Sequence, residues 1–185
     1  MKIPLKIIAG HLKGHSLCNF KNLPIRPMTQ RVKKSVFDTI QADLPDSRVL
    51  DLFSGTGNLS FESLSRGALS CLAVEKNKLC WNLIIKNQQK LKIPAHQLKL
   101  YRQDVFYFLK KYKENSFDII FADPPFPERL GASLIKSLIS SSACDKESLI
   151  ILELSSKESF PETEVSLRLK KSFGDKIVYF FYIRK

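Results

Sequence analysis

From Arg48 onward, short apolar runs alternate with longer stretches that carry apolar residues at helical spacing. The runs Arg48–Phe53, Ser70–Glu75, Leu98–Arg102, Phe117–Ala122 and Ser148–Leu154 are the length of strands. In Asp118-Ile119-Ile120-Phe121-Ala122 the apolar positions are consecutive, the mark of a parallel strand covered on both faces. The intervening stretches Gly57–Arg66, Asn77–Leu91, Asp104–Lys113 and Glu128–Ser140 read as helices, the first stopped by Gly67. The tail reads as two more strands, Glu164–Phe173 and Lys176–Ile183, joined at Gly174-Asp175. This alternation predicts a doubly wound α/β fold with a mixed sheet and an antiparallel end. Such sheets bind ligands at the carboxyl ends of their strands.

Upstream the pattern differs. Residues 3–26 read as short strands turning at Gly10 and Gly14, a small hairpin. A helix follows from Thr29 to Ala42, with Thr29 as N-cap and Val32, Val36, Phe37 and Ile40 as its apolar stripe.

Composition narrows the function. A chain of 185 residues that is 44% hydrophobic fits one domain with a small extension. The four cysteines form no CxxC pair and sit near no histidine cluster, so neither a metal site nor a disulfide framework is expected. No apolar run reaches the ~20 residues of a membrane helix, and the basic N-terminus lacks the apolar core of an export signal. A cytoplasmic protein is therefore expected. The net charge is +12, and residues 1–40 hold eight Lys/Arg against the single acid Asp38. That concentration of positive charge points to a phosphate polymer.

Candidate chemistry lies at the strand ends. The first strand runs into Asp51-Leu52-Phe53-Ser54-Gly55-Thr56-Gly57, a tight turn that opens a helix and lets a ligand approach the backbone. Glu75 closes the next strand, where an acid can accept both hydroxyls of a ribose. A pyrophosphate-binding turn carries a third glycine, and Ser60 occupies that place here. Asp51 would repel a pyrophosphate and attract an ammonium. The pattern favours S-adenosylmethionine, which has an α-amino group and a sulfonium but no phosphate. Asp104, at the third strand's end, is a candidate acceptor for an adenine amine; alternatively it and Asp51 are helix caps.

The fourth strand ends in Asp123-Pro124-Pro125-Phe126. Proline fixes its own backbone and pushes the preceding residue into extended conformations, so Asp123 is aimed rigidly. An exocyclic base amine is a poor nucleophile because its lone pair is delocalised. Acceptors at the Asp123 carboxylate and the Pro124 carbonyl would turn that lone pair toward a methyl donor, and Phe126 would stack on an unpaired base.

These motifs carry a resemblance. Ile7-Ile8-Ala9-Gly10, Lys13-Gly14, Arg26-Pro27-Met28-Thr29-Gln30-Arg31-Val32-Lys33, the Asp51–Gly57 turn, Leu64-Ser65-Arg66-Gly67-Ala68 and Asp123-Pro124-Pro125-Phe126 resemble the bacterial RsmD family. That family methylates N2 of a guanine in 16S ribosomal RNA. Met28, Gln30 and Lys34 stand where the family usually has a threonine, an acid and a glutamate. The resemblance implies a Rossmann-like seven-stranded mixed sheet over residues 29–185 and an RNA-contacting hairpin extension over 1–28. It implies a substrate that is a partly assembled 30S subunit, and a monomer working without metal. It also implies cofactor contacts from Asp51, Phe53, Ser54, Gly55, Gly57, Glu75 and Asp104, base contacts from Asp123 to Phe126, and RNA contacts from Arg26, Thr29, Arg31 and Lys33. Three rivals stand beside this reading. An adenine-N6 methyltransferase would use the same acceptors. A nicotinamide dehydrogenase is disfavoured by Asp51 and the missing glycine, and an inactive RNA-binding protein by the intact Asp123.

Overall fold

The computed structural model describes residues 5–18, 28–125 and 128–184. Each element follows from a local cause. Helix α1 (Gln30–Thr39) starts where Thr29 Oγ1 accepts from the Val32 amide at 3.3 Å, and it turns Val32, Val36 and Phe37 inward. Five alternating units follow: β1 (Arg48–Leu52), α2 (Asn58–Ser65), β2 (Ser70–Val74), α3 (Lys78–Lys90), β3 (Leu98–Tyr101), α4 (Val105–Lys111), β4 (Ile119–Ala122), α5 (Gly131–Ile139) and β5 (Leu149–Ser155). The chain closes with β6 (Val165–Phe173) and β7 (Lys176–Ile183).

The strands lie in the order β3-β2-β1-β4-β5-β7-β6, with β1 to β5 parallel and β7 antiparallel to both of its neighbours. Pleat alternation divides the core in two. Val49, Phe121, Ile151 and Phe180 pack on one face with Phe37, Phe61 and Ile84 of α1, α2 and α3. Leu50, Ile120, Leu152 and Phe181 pack on the other with Phe108, Leu134 and Leu138 of α4 and α5. The order of winding reverses between β1 and β4, so the carboxyl ends of those two strands flank the switch-point crevice where ligands bind in such sheets.

Some boundaries shift for visible reasons. Helix α5 begins at Gly131 rather than Glu128, because Arg129 is left-handed at φ 47° and the chain cannot be helical there. The fourth strand begins at Ile119; just before it, the Asp118 carboxylate accepts from the Arg48 amide at 2.6 Å while its own amide donates to the Arg48 carbonyl at 2.9 Å.

The N-terminal segment is a hairpin with little strand. Its legs exchange bonds from Ile7 to His15 at 3.0 Å and from Leu17 to Leu5 at 2.8 Å, but Lys6–Ser16 is the one bridge among the described residues. Much of its backbone bonds to helices instead. Glu62 of α2 accepts from the Ile8 and Ala9 amides at 2.9 and 3.0 Å, and Asn87 of α3 accepts from the Cys18 amide. Gly10, at φ 78°, lies against α2 so closely that a Cβ would fall 1.7 Å from the Ser65 carbonyl oxygen. Leu5, Ile7 and Leu17 are buried in the same core as α1. The part of the expected hairpin at residues 19–26 lies outside the described residues.

Candidate active site

The ends of several strands and the turn after β1 build a cavity of about 780 Å³, in the range of small-molecule sites. After β1 the chain turns through Phe53, Gly55 and Gly57, all left-handed at φ 59°, 53° and 74°. For Phe53 this is a conformation that large side chains rarely adopt, and such strain concentrates at functional sites. Gly57 caps α2, and a Cβ there would meet the Phe61 ring at 2.8 Å.

Asp51 is fully buried on β1 and lines the cavity. Its Oδ2 accepts from the Ser60 amide at 3.1 Å and from the Ser60 hydroxyl. Burial pushes its carboxyl up to about 7, and the nearby Glu75 adds to the effect. Glu75, just past β2, is buried too. Its two oxygens accept from the Gly55 and Asn77 amides, each at 2.7 Å, and each keeps a second lone pair. Burial raises its pKa as well. Asp123 follows β4 on the far side of the switch point and lines the same cavity with Pro125, while Pro124 is buried behind them. Burial raises the Asp123 carboxyl to about 8, helped by Glu153 and opposed by Lys176.

The cavity therefore gathers Asp51, Phe53, Ser54, Gly55, Glu75 and Asp123 from the residues that the sequence singled out. It does not gather Asp104. That residue is exposed and caps α4, its Oδ1 accepting from the Phe106 and Tyr107 amides at 2.9 and 3.2 Å. Gln103 and Val105, on either side of it, face the cavity instead. The expected adenine acceptor is thus corrected to a helix cap. Phe126 and Arg26 lie outside the described residues.

Lys33 is a second correction. Expected to contact RNA, it is 1% exposed, because burial on α1 extends beyond the apolar stripe to this position. Its Nζ pairs with Glu62 at 2.9 Å and donates to Asn58 Oδ1 and to the Lys6 carbonyl, both at 2.8 Å. It is a structural cation and reaches no RNA phosphate. Thr29 is the α1 cap, and Arg31 is exposed at the edge of a second cleft shared with Lys34 and Arg66.

Sequence reasoning missed Asn58, Glu153 and Lys176. Asn58 lines the cavity, and its buried Nδ2 has no hydrogen-bond partner. Glu153, 1% exposed on β5, is ion-paired to Lys176 at the start of β7. An acid in an otherwise apolar strand (Leu-Ile-Ile-Leu-Glu-Leu) was the available signal.

The residues present fit S-adenosylmethionine. Two buried acids stand at neighbouring strand ends, Asn58 with its unpartnered buried amide donor is among the lining residues, and the described part of the cavity wall offers two lysines, Lys76 and Lys176, but no arginine. A ligand with an ammonium, a carboxylate and a ribose matches those groups.

Among proteins of known identity, the chain is 32% identical to ribosomal RNA small subunit methyltransferase D of Buchnera aphidicola from Acyrthosiphon pisum, over 96% of this chain and 92% of that one. It is 34% identical to the Haemophilus influenzae protein of the same name, over 80% and 78% of the two chains. A solved structure from Escherichia coli superposes with a TM-score of 0.84 at 28% identity, covering 98% of each chain. One from Haemophilus influenzae gives 0.81 at 30% identity, covering 98% of this chain and 99% of that one. The family profile described as conserved hypothetical protein 95 matches residues 5–182, and the chain belongs to that family, the RsmD-type methyltransferases.

Proposed function

We propose that this protein transfers a methyl group from S-adenosylmethionine to the exocyclic N2 amine of a guanine in 16S ribosomal RNA. We propose further that the substrate is a 30S subunit or its assembly intermediate, which places the enzyme in the cytoplasm, and that it acts as a monomer without metal. The observation that carries the reading is Asp123, held by Pro124 and Pro125 across the switch point from Asp51 and Glu75 on one cavity wall. The membership of the methyltransferase D family gives the substrate class.

When bound, the cofactor supplies an electrophilic methyl on a sulfonium. Asp51 faces its ammonium, Glu75 accepts from its ribose hydroxyls, and Asn58 Nδ2 offers a donor to its carboxylate. Asp123 accepts an N–H of the base amine and holds the lone pair directed into the cavity. As the nitrogen gains positive charge, the same carboxylate stabilises it and is the first acceptor for the proton that leaves. A preorganised partner of this kind contributes about 10²–10³ in rate. Phe126 stacks on the base, and Arg31 with neighbouring basic side chains holds the RNA backbone.

The test is methylation of undermethylated 30S subunits with labelled donor, followed by nucleoside analysis. N2-methylguanosine is expected, and Asp123→Ala should lose activity while binding S-adenosylhomocysteine normally. Label on adenine N6, or an Asp123→Ala enzyme with near-normal turnover, overturns the reading.

A further inference from the structure

Behind Asp123 lies a charged pair that the mechanism above does not use. Strands β4 and β5 are parallel, with Ala122 opposite Leu152, so Asp123 and Glu153 are the next residues along neighbouring chains. Strands β5 and β7 are antiparallel, with Glu153 opposite Val178 and Ser155 opposite Lys176. Lys176 thus sits two residues from the position facing Glu153, on the same face of the sheet, and reaches back to it.

The pairing is asymmetric. Glu153 Oε1 takes the Lys176 ammonium, while Oε2 is buried with no hydrogen-bond partner. Glu153 does not line the cavity; Lys176 and Asp123 do. Two carboxylates and one ammonium thus stand close together, Asp123 and Lys176 on the cavity wall and Glu153 behind it. A buried ion pair contributes little to stability compared with apolar residues of similar volume. Its presence in an otherwise apolar strand, against the residue that meets the base, calls for another role.

Resting on the reading that Asp123 accepts from the base amine, we propose that Glu153 and Lys176 are positioning residues: Glu153 anchors the Lys176 ammonium at the cavity wall, and that ammonium offsets part of the burial cost of the Asp123 charge, so that the carboxylate is available as an acceptor nearer to neutral pH. A protonated Asp123 would present a donor to the amine and leave the amine lone pair undirected. The two members of the pair act on Asp123 in opposite senses, Glu153 favouring the protonated form and Lys176 the ionised form. The other charged groups around the cavity are Asp51 on β1, Glu75 and Lys76 after β2, Glu128 in the loop after β4, and Asp175 in the β6–β7 turn. Of these, Asp51 also favours the protonated form.

Opposite senses make a sharp test. The pH dependence of kcat/KM for 30S subunits is measured for wild type, Lys176→Met, Lys176→Arg and Glu153→Gln, with S-adenosylhomocysteine affinity as the check on folding. Lys176→Met should move the acid limb upward by about one to three pH units, the range for loss of a nearby opposite charge. Its activity at pH 7 should fall about tenfold or more and return at higher pH. Lys176→Arg should keep the wild-type limb, and Glu153→Gln should move it downward. Loss of activity in Lys176→Met and Glu153→Gln at every pH, with the limb unmoved, overturns the proposal. If Lys176→Met does not fold, the downward shift in Glu153→Gln decides alone. An active Asp123→Ala enzyme would defeat the underlying reading; an inactive one beside unmoved limbs would defeat only this inference.

Discussion

Asp51→Asn should stabilise the free protein and at the same time abolish its response to cofactor. Asp51 is 1% exposed, and burial moves its carboxyl from 3.8 to about 7. With each pKa unit worth about 1.4 kcal/mol, holding the charge inside the folded chain costs on the order of 4 kcal/mol. The sign follows from which state carries the proton. As pH rises through 3.8 the unfolded chain ionises while the folded one keeps its proton, so this group lowers stability progressively until it ionises near pH 7. Asparagine removes that penalty and can still accept from the Ser60 amide and hydroxyl through Oδ1. The gain should be absent near pH 4 and reach at most about 4 kcal/mol at pH 8, on the order of 10 °C in Tm for a chain of this length. Cofactor binding should show the reverse, since the ammonium loses its partner. Thermal melts at pH 5 and pH 8, with and without S-adenosylhomocysteine, read both effects. A variant that melts at or below wild type at pH 8, and is still raised by S-adenosylhomocysteine as much as wild type, would refute the assignment of Asp51 as the ammonium site.

Three further outcomes are expected. Glu75→Ala should weaken S-adenosylhomocysteine binding by about 1.5–3 kcal/mol on calorimetry, through the loss of charge-assisted bonds to the ribose; unchanged affinity would remove Glu75 from the cofactor site. Arg31→Ala should leave stability near wild type yet weaken 30S binding and reduce its salt dependence, whereas Lys33→Ala should cost about 3 kcal/mol in urea unfolding by breaking a buried pair; the opposite pattern would return Lys33 to the RNA surface.

The sheet was legible because its strands are apolar on consecutive positions and its helices are punctuated by caps and glycines. The expectations for β1, β2, β3, β6 and β7 fall within a residue of the observed ends. That Asp51, Glu75 and Asp123 meet in one cavity was legible as well, because each stands at the end of a strand at the carboxyl edge of the same sheet. Asp104 misled because the sequence position is the same for a ligand and for an N-cap, and only the direction of its carboxylate toward the Phe106 and Tyr107 amides separates the two. Glu153 and Lys176 are 23 residues apart, and although the antiparallel end was expected, nothing in their local sequence signals the β5–β7 register that brings them together.

Lys33 shows most directly why a local charge count fails. Of its neighbours three and four residues away on α1, Val36 and Phe37 are buried, so the apolar stripe alone places it at the margin of the core. What draws the ammonium inside is Glu62, 0% exposed on α2, which already accepts from Arg66 and from the Ile8 and Ala9 amides. One carboxylate thereby ties α1 and the N-terminal segment to α2, the helix that also carries Asn58 and Ser60. Lys33 in turn bonds Asn58 Oδ1, which leaves Nδ2 as the amide's free donor at the cavity. The same positive charge that composition assigned to RNA is spent on holding the segment beside the cofactor turn. An exposed cation nearby is Arg31, two residues along α1 from a lysine that is buried, and it is Arg31 that the proposed function leaves to meet RNA.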